Sequence, residues 1–321
     1  MVIDYPDIYY SKIWGQLNES KDKGKWDCFL FESNLGKLYY PFIKRRIDIK
    51  VNNKIYYDIV TPYGFNGPVI IENFCDDIDK LVEEFNNEFN KFCNENNIVS
   101  EYIRFSPWLK NHKYLSNIYN IKNNNVTLYV DLKKDFFYEE FSSKCRNVIR
   151  KAIKNNVKVK FDFYGDTIEE FYRLYNEMAY KNNVSEFYKF DIDFLKALFN
   201  GMKGNIFIAN AMYKGKYISS AMFLYNKDYI HYHLSGNDYN HTTLGGNSLI
   251  LYEVAKFAKK KEIKEFHLGG ANGKALLKFK KQFTKGGVLD FFVGTKIRNE
   301  DIYYKLVEIN GRNKGYFPEY R

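Results

Sequence analysis

The order of predicted helices and strands in the second half of the chain constrains its fold more than any other feature. Alternating apolar residues predict strands, whereas apolar residues at three- and four-residue steps predict helices. In chain order the predicted elements are a helix from Ser142 or Ser143 to about Asn155, a strand at 157–163, helices at 167–181 and 191–202, strands at 206–213, 217–225 and 229–234, a helix at 247–261, a strand at 265–268, a helix at 273–283, a strand at 288–296 and a helix at 300–309. This order predicts an α+β fold.

The first half repeats much of this order. It begins with three aromatic, β-rich runs at 27–32, 38–47 and 54–60, followed by a turn at 62–68. A helix then starts after Asp76 or Asp77, and its apolar positions are Ile78, Leu81, Val82, Phe85, Phe89 and Phe92. Two strands follow, at 98–105 and 126–131. We therefore predict two domains, 1–141 and 142–321, and leave open whether the last helix packs back on the first.

The element order of the second half resembles that of the GNAT acyltransferase fold. This resemblance implies two GNAT-like domains, each with a mixed, mostly antiparallel, twisted sheet flanked by helices. The first domain is expected to bind the acceptor, and the second to bind the acyl donor and carry out the chemistry.

Three segments of the second half also resemble the Fem family of peptidoglycan-bridge aminoacyltransferases. They are SKCRNVIRKA at 143–152, GNSLILYEVAKFA at 246–258 running into FHLGG at 266–270, and LKFKKQF at 277–283 with the strand through Val293 and Gly294. Weaker similarity lies at 62–68 and in IRFSPW at 103–108. The chain shows no coiled-coil heptads, so it resembles the family members that lack a long helical arm.

Charge and cysteine usage limit the possible partners and cofactors. The 49 basic and 39 acidic residues give a net charge of +10, which favours polyanions such as nucleotide diphosphates, RNA or an anionic membrane surface. The four cysteines form no CxxC pair, and the five histidines have no metal-ligand spacing, so we expect no metal and no disulfide framework. No apolar run approaches the roughly 18 residues of a membrane span, and we predict a cytoplasmic protein.

Two segments are candidates for holding the donor. The loop with Gly245, Gly246, Asn247 and Ser248 opens a helix, whose N–H groups could bind a phosphate. A coenzyme A loop would require Gln or Arg in place of Thr242 and Gly or Ala in place of Asn247, so the match is incomplete. In the second segment Lys278 and Lys281 are phosphate candidates, and the Fem resemblance implies that Lys280 meets the phosphates or the reacting carbonyl. The alternatives are a glycine-rich turn and solvated lysines.

His267 and His233 are candidates for taking the proton of the amine, because the pKa of histidine lies near 7. The two-residue alternation of a strand predicts that His233 shares a face with His231. Buried, hydrogen-bonded core histidines are the alternative, and Asp238 is a weaker candidate.

Basic residues in both halves are candidates for binding the acceptor. Arg146 and Arg150 are four residues apart on one helix, where guanidinium groups could grip a diphosphate. In the first half the candidates are Lys44, Arg45, Arg46, Tyr63 and Arg104. Ordinary surface charge is the alternative for each.

The leading hypothesis is an acyl- or aminoacyltransferase that forms an amide on an amine of a peptidoglycan precursor or a related nucleotide-linked amino sugar. The donor would be aminoacyl-tRNA or acyl-CoA, with no tightly bound cofactor and no stable protein partner, and a peripheral position at the membrane stays open. One alternative is an acyl-CoA-dependent N-acyltransferase for surface polysaccharide. Another is a non-catalytic protein that binds RNA or a membrane surface.

Overall fold

The computed structural model describes residues 4–271 and 273–321, which form two compact units. Unit 1 joins the chain up to Asn125 to Asp290–Arg321, and unit 2 is Val126–Leu289. The contacts thus divide the chain after Asn125, whereas the sequence predicted a division after residue 141. The last helix belongs to unit 1, so the chain leaves that unit and later returns to it.

The helices and strands are numbered along the chain. They are α1 Lys12–Leu17, α2 Glu19–Asp22, β1 Lys25–Ser33, β2 Gly36–Val51, β3 Lys54–Val60, β4 Val69–Asn73, α3 Ile78–Glu95, β5 Ile98–Arg104, β6 Asn120–Asp131, α4 Ser143–Lys154, β7 Lys158–Asp162, α5 Ile168–Lys181, α6 Ile192–Gly201, β8 Ile206–Tyr213, β9 Lys216–Tyr225, β10 Tyr229–Asn237, α7 Gly246–Lys260, β11 Glu265–Gly270, α8 Lys274–Lys280, β12 Val288–Ile297 and α9 Glu300–Asn310. Within the described ranges, no helix is long and apolar enough to cross a membrane.

The sheet of unit 1 is mixed and mostly antiparallel. Its order is β1-β2-β3-β5-β12, with β4 paired to β2. Only β3 and β5 are parallel among the pairings of these strands, and α3 connects them. One core packs α3 against the sheet through Leu81, Phe85 and Phe89, and a second core packs α9 through Leu306.

The sheet of unit 2 has the same arrangement. Its order is β6-β11-β10-β9-β8-β7, and the parallel pair is β10 with β11, connected by α7. The run β8-β9-β10-β11-β6 therefore corresponds to β1-β2-β3-β5-β12, which supports a duplicated architecture. Helices α4 and α7 pack together on one face through Ile149, Val254 and Phe223 of β9, whereas α5 and α6 pack together beside β8–β10.

Most of the predicted elements are confirmed, and the differences concern short or irregular segments. The helix predicted from Asp76 or Asp77 is α3, with Asp77 as its N-cap, and α4 is capped by Ser142. The sequence patterns did not predict β4, α1 and α2. The helix predicted at 273–283 ends as an α-helix at Lys280 and continues as one 3-10 turn.

A buried ion pair holds the returning chain in unit 1. The Arg298 guanidinium, between β12 and α9, bonds the Glu101 carboxylate on β5 and the side chains of Asn86 and Asn90 on α3. Tyr40 and Tyr119 donate their hydroxyls to Glu101 at 3.1 and 3.0 Å. Because the side chains of Arg298 and Glu101 are only 1% and 0% exposed, the loss of either leaves an uncompensated buried charge.

Arg298→Met is therefore expected to lower the free energy of unfolding by about 3–5 kcal/mol, measured by urea titration of the full chain. The control is Arg312→Met, which removes an exposed ion pair with Glu319 and should change stability by less than about 0.5 kcal/mol. A similar, small loss in both variants would show that the buried pair does not anchor the returning chain.

Candidate active site

Strands β10 and β11 separate partway along their length. They pair only from Tyr229 with Glu265 to His231 with His267. Beyond this point β10 continues beside β9 to Asn237, and β11 continues beside β6 to Gly270. The backbone edges that would have bonded each other therefore border a gap between the strands.

A β-bulge at His233 changes the side-chain alternation of β10 at the start of this gap. Tyr232 lies opposite Phe223 and Leu234 lies opposite Met222, so two residues advance on β10 for one on β9. His231 lies opposite Leu224 and Leu234 lies opposite Met222, whereas His233 is the extra residue and has no partner position on β9, so the shared face of His231 and His233 stays a prediction. The bulge places Tyr232 and Ser235 on one face.

The Lys280 amine lies at this gap. Its Nζ donates to the Gly270 carbonyl at 2.6 Å and lies 5.8 Å from the centre of the Tyr232 ring. A Cβ built on Gly269 would be 3.6 Å from Nζ and 3.7 Å from the Tyr232 carbonyl oxygen, so the amine stands between the two strands. Lys280 is only 7% exposed.

The charge of Lys280 is not balanced by a nearby acid. Among the described residues, none of the ion pairs of unit 2 includes Lys280, and its surroundings are a carbonyl, an aromatic ring and backbone. Burial lowers the pKa of the amine to about 8, because the charged form loses its hydration. Buried lysines are normally paired, so this one is unusual.

Tyr232 is held by a hydrogen-bond network at the same gap. Its hydroxyl donates to Ser235 Oγ at 2.6 Å and accepts from Asn247 Nδ2 at 3.0 Å. Burial raises the pKa of the phenol, so the hydroxyl stays protonated at neutral pH. The network fixes the ring whose face is turned to Lys280.

The segment after α8 is anchored by the buried carboxylate of Glu140. The carboxylate accepts from Lys134 Nζ at 2.8 Å, Thr284 Oγ1 at 2.9 Å and the Lys285 N–H at 3.1 Å. Burial raises the pKa of Glu140, but these hydrogen bonds outweigh it and the pKa falls below its usual value. No pattern in the sequence indicates this anchor, which fixes the chain four residues beyond Lys280.

The predicted phosphate loop is packed against protein. A Cβ on Gly245 would lie 2.7 Å from Val148, and one on Gly246 would lie 2.8 Å from Ser219. Asn247 turns its side chain to Tyr232, so it belongs to the gap. Helix α7 begins without a side-chain cap, so the first-turn N–H groups around Ser248 remain candidate hydrogen-bond donors to a phosphate.

The other donor candidates differ in exposure. Lys278 and Lys281 lie on the surface, whereas Lys280 between them is buried. His267 is buried, with Nε2 at 3.0 Å from Glu265 Oε2 and its ring stacked on His231 at 5.3 Å between centroids. His233, at the bulge, is partly exposed. Exposure thus makes His233 the more accessible of the two proposed proton acceptors.

The acceptor candidates on α4 are not equivalent. The Arg146 guanidinium donates to the carbonyls of Phe137, Tyr138 and Phe141, so it supports the turn before α4. Arg150 is exposed and contacts Asn147 at 3.3 Å. Of the pair, Arg150 is the residue presented to solvent.

Tyr63 and Arg104, two of the acceptor-binding candidates in unit 1, both contact the Asp22 carboxylate. Asp22 accepts from the Tyr63 N–H at 2.9 Å and lies 3.4 Å from Arg104 Nη2. Lys21, which the sequence reading missed, lies over the Tyr63 ring at 4.9 Å, and burial lowers its pKa to about 8. Lys44 is elsewhere, bonded to Asn96 at 3.0 Å.

A cavity of about 500 Å³ lies in unit 1 and is lined by Lys23, Arg45, Tyr316 and Arg321, among others. One predicted acceptor candidate, Arg45, lines it, but the residues of the gap around Lys280 do not, so the cavity does not define the candidate active site.

Comparison with known protein families matches one part of the chain to a known domain. Residues 143–281 match the family model of the acetyltransferase (GNAT) domain. No curated protein sequence matches the chain. The matched segment contains α8 and the gap between β10 and β11.

Solved structures extend the likeness to nearly the whole chain. A crystal structure of FemX is 12% identical with a TM-score of 0.69, covering 94% of this chain and 95% of that one. The C-terminal domain of a putative lysylphosphatidylglycerol synthetase from Agrobacterium fabrum is 13% identical with a TM-score of 0.56, covering 92% and 91%. A tandem GNAT protein from the clavulanic acid biosynthesis pathway is 8% identical with a TM-score of 0.50, covering 86% and 83%. These likenesses show the fold.

The unpaired burial of Lys280 predicts that Lys280→Met makes the protein more stable at pH 7. A pKa lowered from 10.5 to about 8 means that burying the Lys280 ammonium costs roughly 3 kcal/mol of stability, which the variant recovers. The variant also loses the hydrogen bond to Gly270, which reduces the gain by about 1–2 kcal/mol. The expected net gain is about 1–2 kcal/mol by urea unfolding.

This gain depends on pH in a known direction. The folded pKa lies below the unfolded value, so the penalty is full below pH 8 and disappears as the pH approaches 10.5. The gain from Lys280→Met should therefore shrink by pH 10, and the exposed neighbour variant Lys281→Met should show no gain. Destabilisation by Lys280→Met at pH 7 would contradict this account.

Proposed function

We propose that this chain, a Fem-like GNAT acyltransferase, forms an amide between a small acyl or aminoacyl group and an amine of a peptidoglycan precursor or a related nucleotide-linked amino sugar. The observation that carries the proposal is the unpaired Lys280 ammonium in the gap between β10 and β11. A cation at such a point serves a reaction in which negative charge develops.

The chemistry matches the surroundings of Lys280. The amine nitrogen attacks the carbonyl carbon of an ester or thioester, and negative charge gathers on the carbonyl oxygen before the carbon–oxygen or carbon–sulfur bond breaks. The Lys280 ammonium and the backbone N–H groups bordering the gap would stabilise this oxyanion. Their effect is larger in a buried site than in water, because the surrounding protein screens charge weakly.

The proton of the attacking amine must leave during the reaction, and the leaving group must gain one. His233 is our proposed proton acceptor because it is partly exposed beside the gap. His267 is the second candidate, although its contacts with Glu265 and His231 suit a residue that supports the strands. Tyr232 orients the site through Asn247 and Ser235.

The donor is proposed to place its phosphate near the first turn of α7, around Ser248, and the exposed Lys278 and Lys281 are further candidates for contact with donor phosphates. Aminoacyl-tRNA and acyl-CoA both carry phosphate and an activated acyl group. The uncapped helix start favours either, so an acyl-CoA-dependent N-acyltransferase is the second candidate function. For the acceptor there are two separate candidates: in unit 1 the cluster of Lys21, Tyr63 and Arg104, whose cationic and aromatic groups suit a nucleotide diphosphate, and in unit 2 the exposed Arg150.

A thermal-shift screen separates the two donors. Selective ligand binding to the folded state raises the melting temperature in proportion to the logarithm of ligand concentration. A shift with UDP-linked muropeptide precursors and none with coenzyme A would support aminoacyl transfer and lead to an assay with aminoacyl-tRNA. A shift with coenzyme A and UDP-amino sugars would support the second candidate, and no shift with any of them would refute both.

Replacement of Lys280 tests the mechanism directly. Lys280→Ala should lower kcat about 100- to 1000-fold, the usual loss when one oxyanion donor is removed, whereas the control Lys203→Ala, at an exposed lysine just after α6, should keep most of the activity. In the wild type, kcat should fall above about pH 8 as the ammonium loses its proton. Full activity of Lys280→Ala in the transfer assay would eliminate this role.

A further inference from the structure

The net charge of the chain is confined to one unit. Unit 2 contains 27 lysines and arginines against 17 aspartates and glutamates, whereas unit 1 contains 22 of each. Unit 2 therefore carries the whole excess of ten positive charges. An AT-rich genome would not by itself place the excess in one unit.

Within unit 2, the charge is also unequal between the helix layers. Helices α4, α7 and α8, with the 3-10 turn Lys281–Phe283, contain eleven lysines and arginines besides the buried Lys280, and a single acid, Glu253. Helices α5 and α6 contain three basic and four acidic residues. Helix α4 contacts both α7 and the Lys281–Phe283 turn, and we call the eleven basic residues of these neighbouring helices the basic face.

The basic face also exposes large apolar side chains. Ile153 on α4 is 51% exposed between Lys151 and Lys154, and Leu276 on α8 is 40% exposed. Tyr138, just before α4, is 60% exposed. A helix surface that combines many lysines with isolated apolar residues is typical of proteins that bind at a lipid interface.

We propose that the basic face docks on an anionic phospholipid bilayer. The lysines would approach the lipid phosphates, and Ile153, Leu276 and Tyr138 would enter the headgroup region. The inference does not depend on the proposed acyl transfer, because it rests on charge and exposure alone.

The exposed apolar side chains of the basic face favour a bilayer over RNA. Ile153 and Leu276 are 51% and 40% exposed among the lysines of α4 and α8. Apolar side chains at a lysine-rich helix surface can enter the headgroup region of an anionic bilayer, while the lysines stay near the lipid phosphates. Nucleic acid gives no reason for an exposed isoleucine between two lysines.

Vesicle cosedimentation of the full chain tests the proposal. The vesicles contain phosphatidylcholine alone or mixed with phosphatidylglycerol, at physiological salt. The triple variant Lys151→Gln, Lys154→Gln and Lys260→Gln should bind the mixed vesicles about 100-fold more weakly, because each lysine near an anionic surface contributes about a fivefold factor. The matched control, Lys181→Gln, Lys196→Gln and Lys203→Gln, removes the same charge on and beside α5 and α6 and should bind like the wild type.

Each outcome decides the proposal. Selective loss in the basic-face variant, with a smaller loss in Ile153→Ser, supports it. It is overturned if the wild type does not prefer the mixed vesicles, or if both triple variants lose binding equally. A separate arm with an RNA duplex assigns the face to nucleic acid if the basic-face variant loses RNA binding alone. Since no transfer reaction is measured, failure here leaves the proposed acyl transfer unaffected.

Discussion

Burying an ammonium group without a carboxylate beside it costs free energy, and much of unit 2 holds one such group in place. The separation of β10 from β11 creates the space, and the bulge at His233 sets the face on which Tyr232 lies. Asn247 and Ser235 fix the Tyr232 ring, and the Gly270 carbonyl accepts from Lys280. Glu140 secures the chain that follows. Hydrophobic packing alone would not retain a lysine here, and the arrangement fits the proposed reaction, which would use the charge.

The two units share one architecture but differ in their polar groups. Each has a parallel strand pair joined by a helix, at β3–α3–β5 and at β10–α7–β11. Unit 1 buries its polar network in a neutralised form, with Arg298 paired to Glu101. Unit 2 leaves Lys280 unpaired and carries the net positive charge of the chain. The duplicated fold thus serves as an anchor for the returning chain in one unit and as the candidate catalytic frame in the other.

The sequence predicts regular structure well because periodic patterns report which side of an element is buried. The α3 pattern and its Asp77 cap, and the hairpins of β8–β10, follow from local residues. The bulge at His233 does not, because it depends on how β10 packs against its neighbours. That one extra residue puts Tyr232 and Ser235, three positions apart in sequence, on the same face of β10.

The local sequence also does not predict which individual charged residues are buried. Lys278, Lys280 and Lys281 look alike in the chain, yet only Lys280 is buried, because it alone faces the gap. The sequence predicts Arg146 as a ligand-binding residue, whereas in the structure its guanidinium donates to backbone carbonyls. The Fem resemblance singled out Lys280 for a role, whereas the physical reason, an unpaired charge between separating strands, required the tertiary structure.

Direct titration of Lys280 is the sharpest test of the central claim. Lysine side chains labelled with ¹³C can be followed by NMR from pH 6 to pH 11, with Lys280→Met used to assign the Lys280 signal. The account predicts a pKa of about 8 for this amine, well below the value of about 10.4 that is usual for a hydrated lysine. A Lys280 signal that titrates near 10.4 would contradict the account, because it would mean that the amine is hydrated or paired and that no unpaired charge lies between β10 and β11.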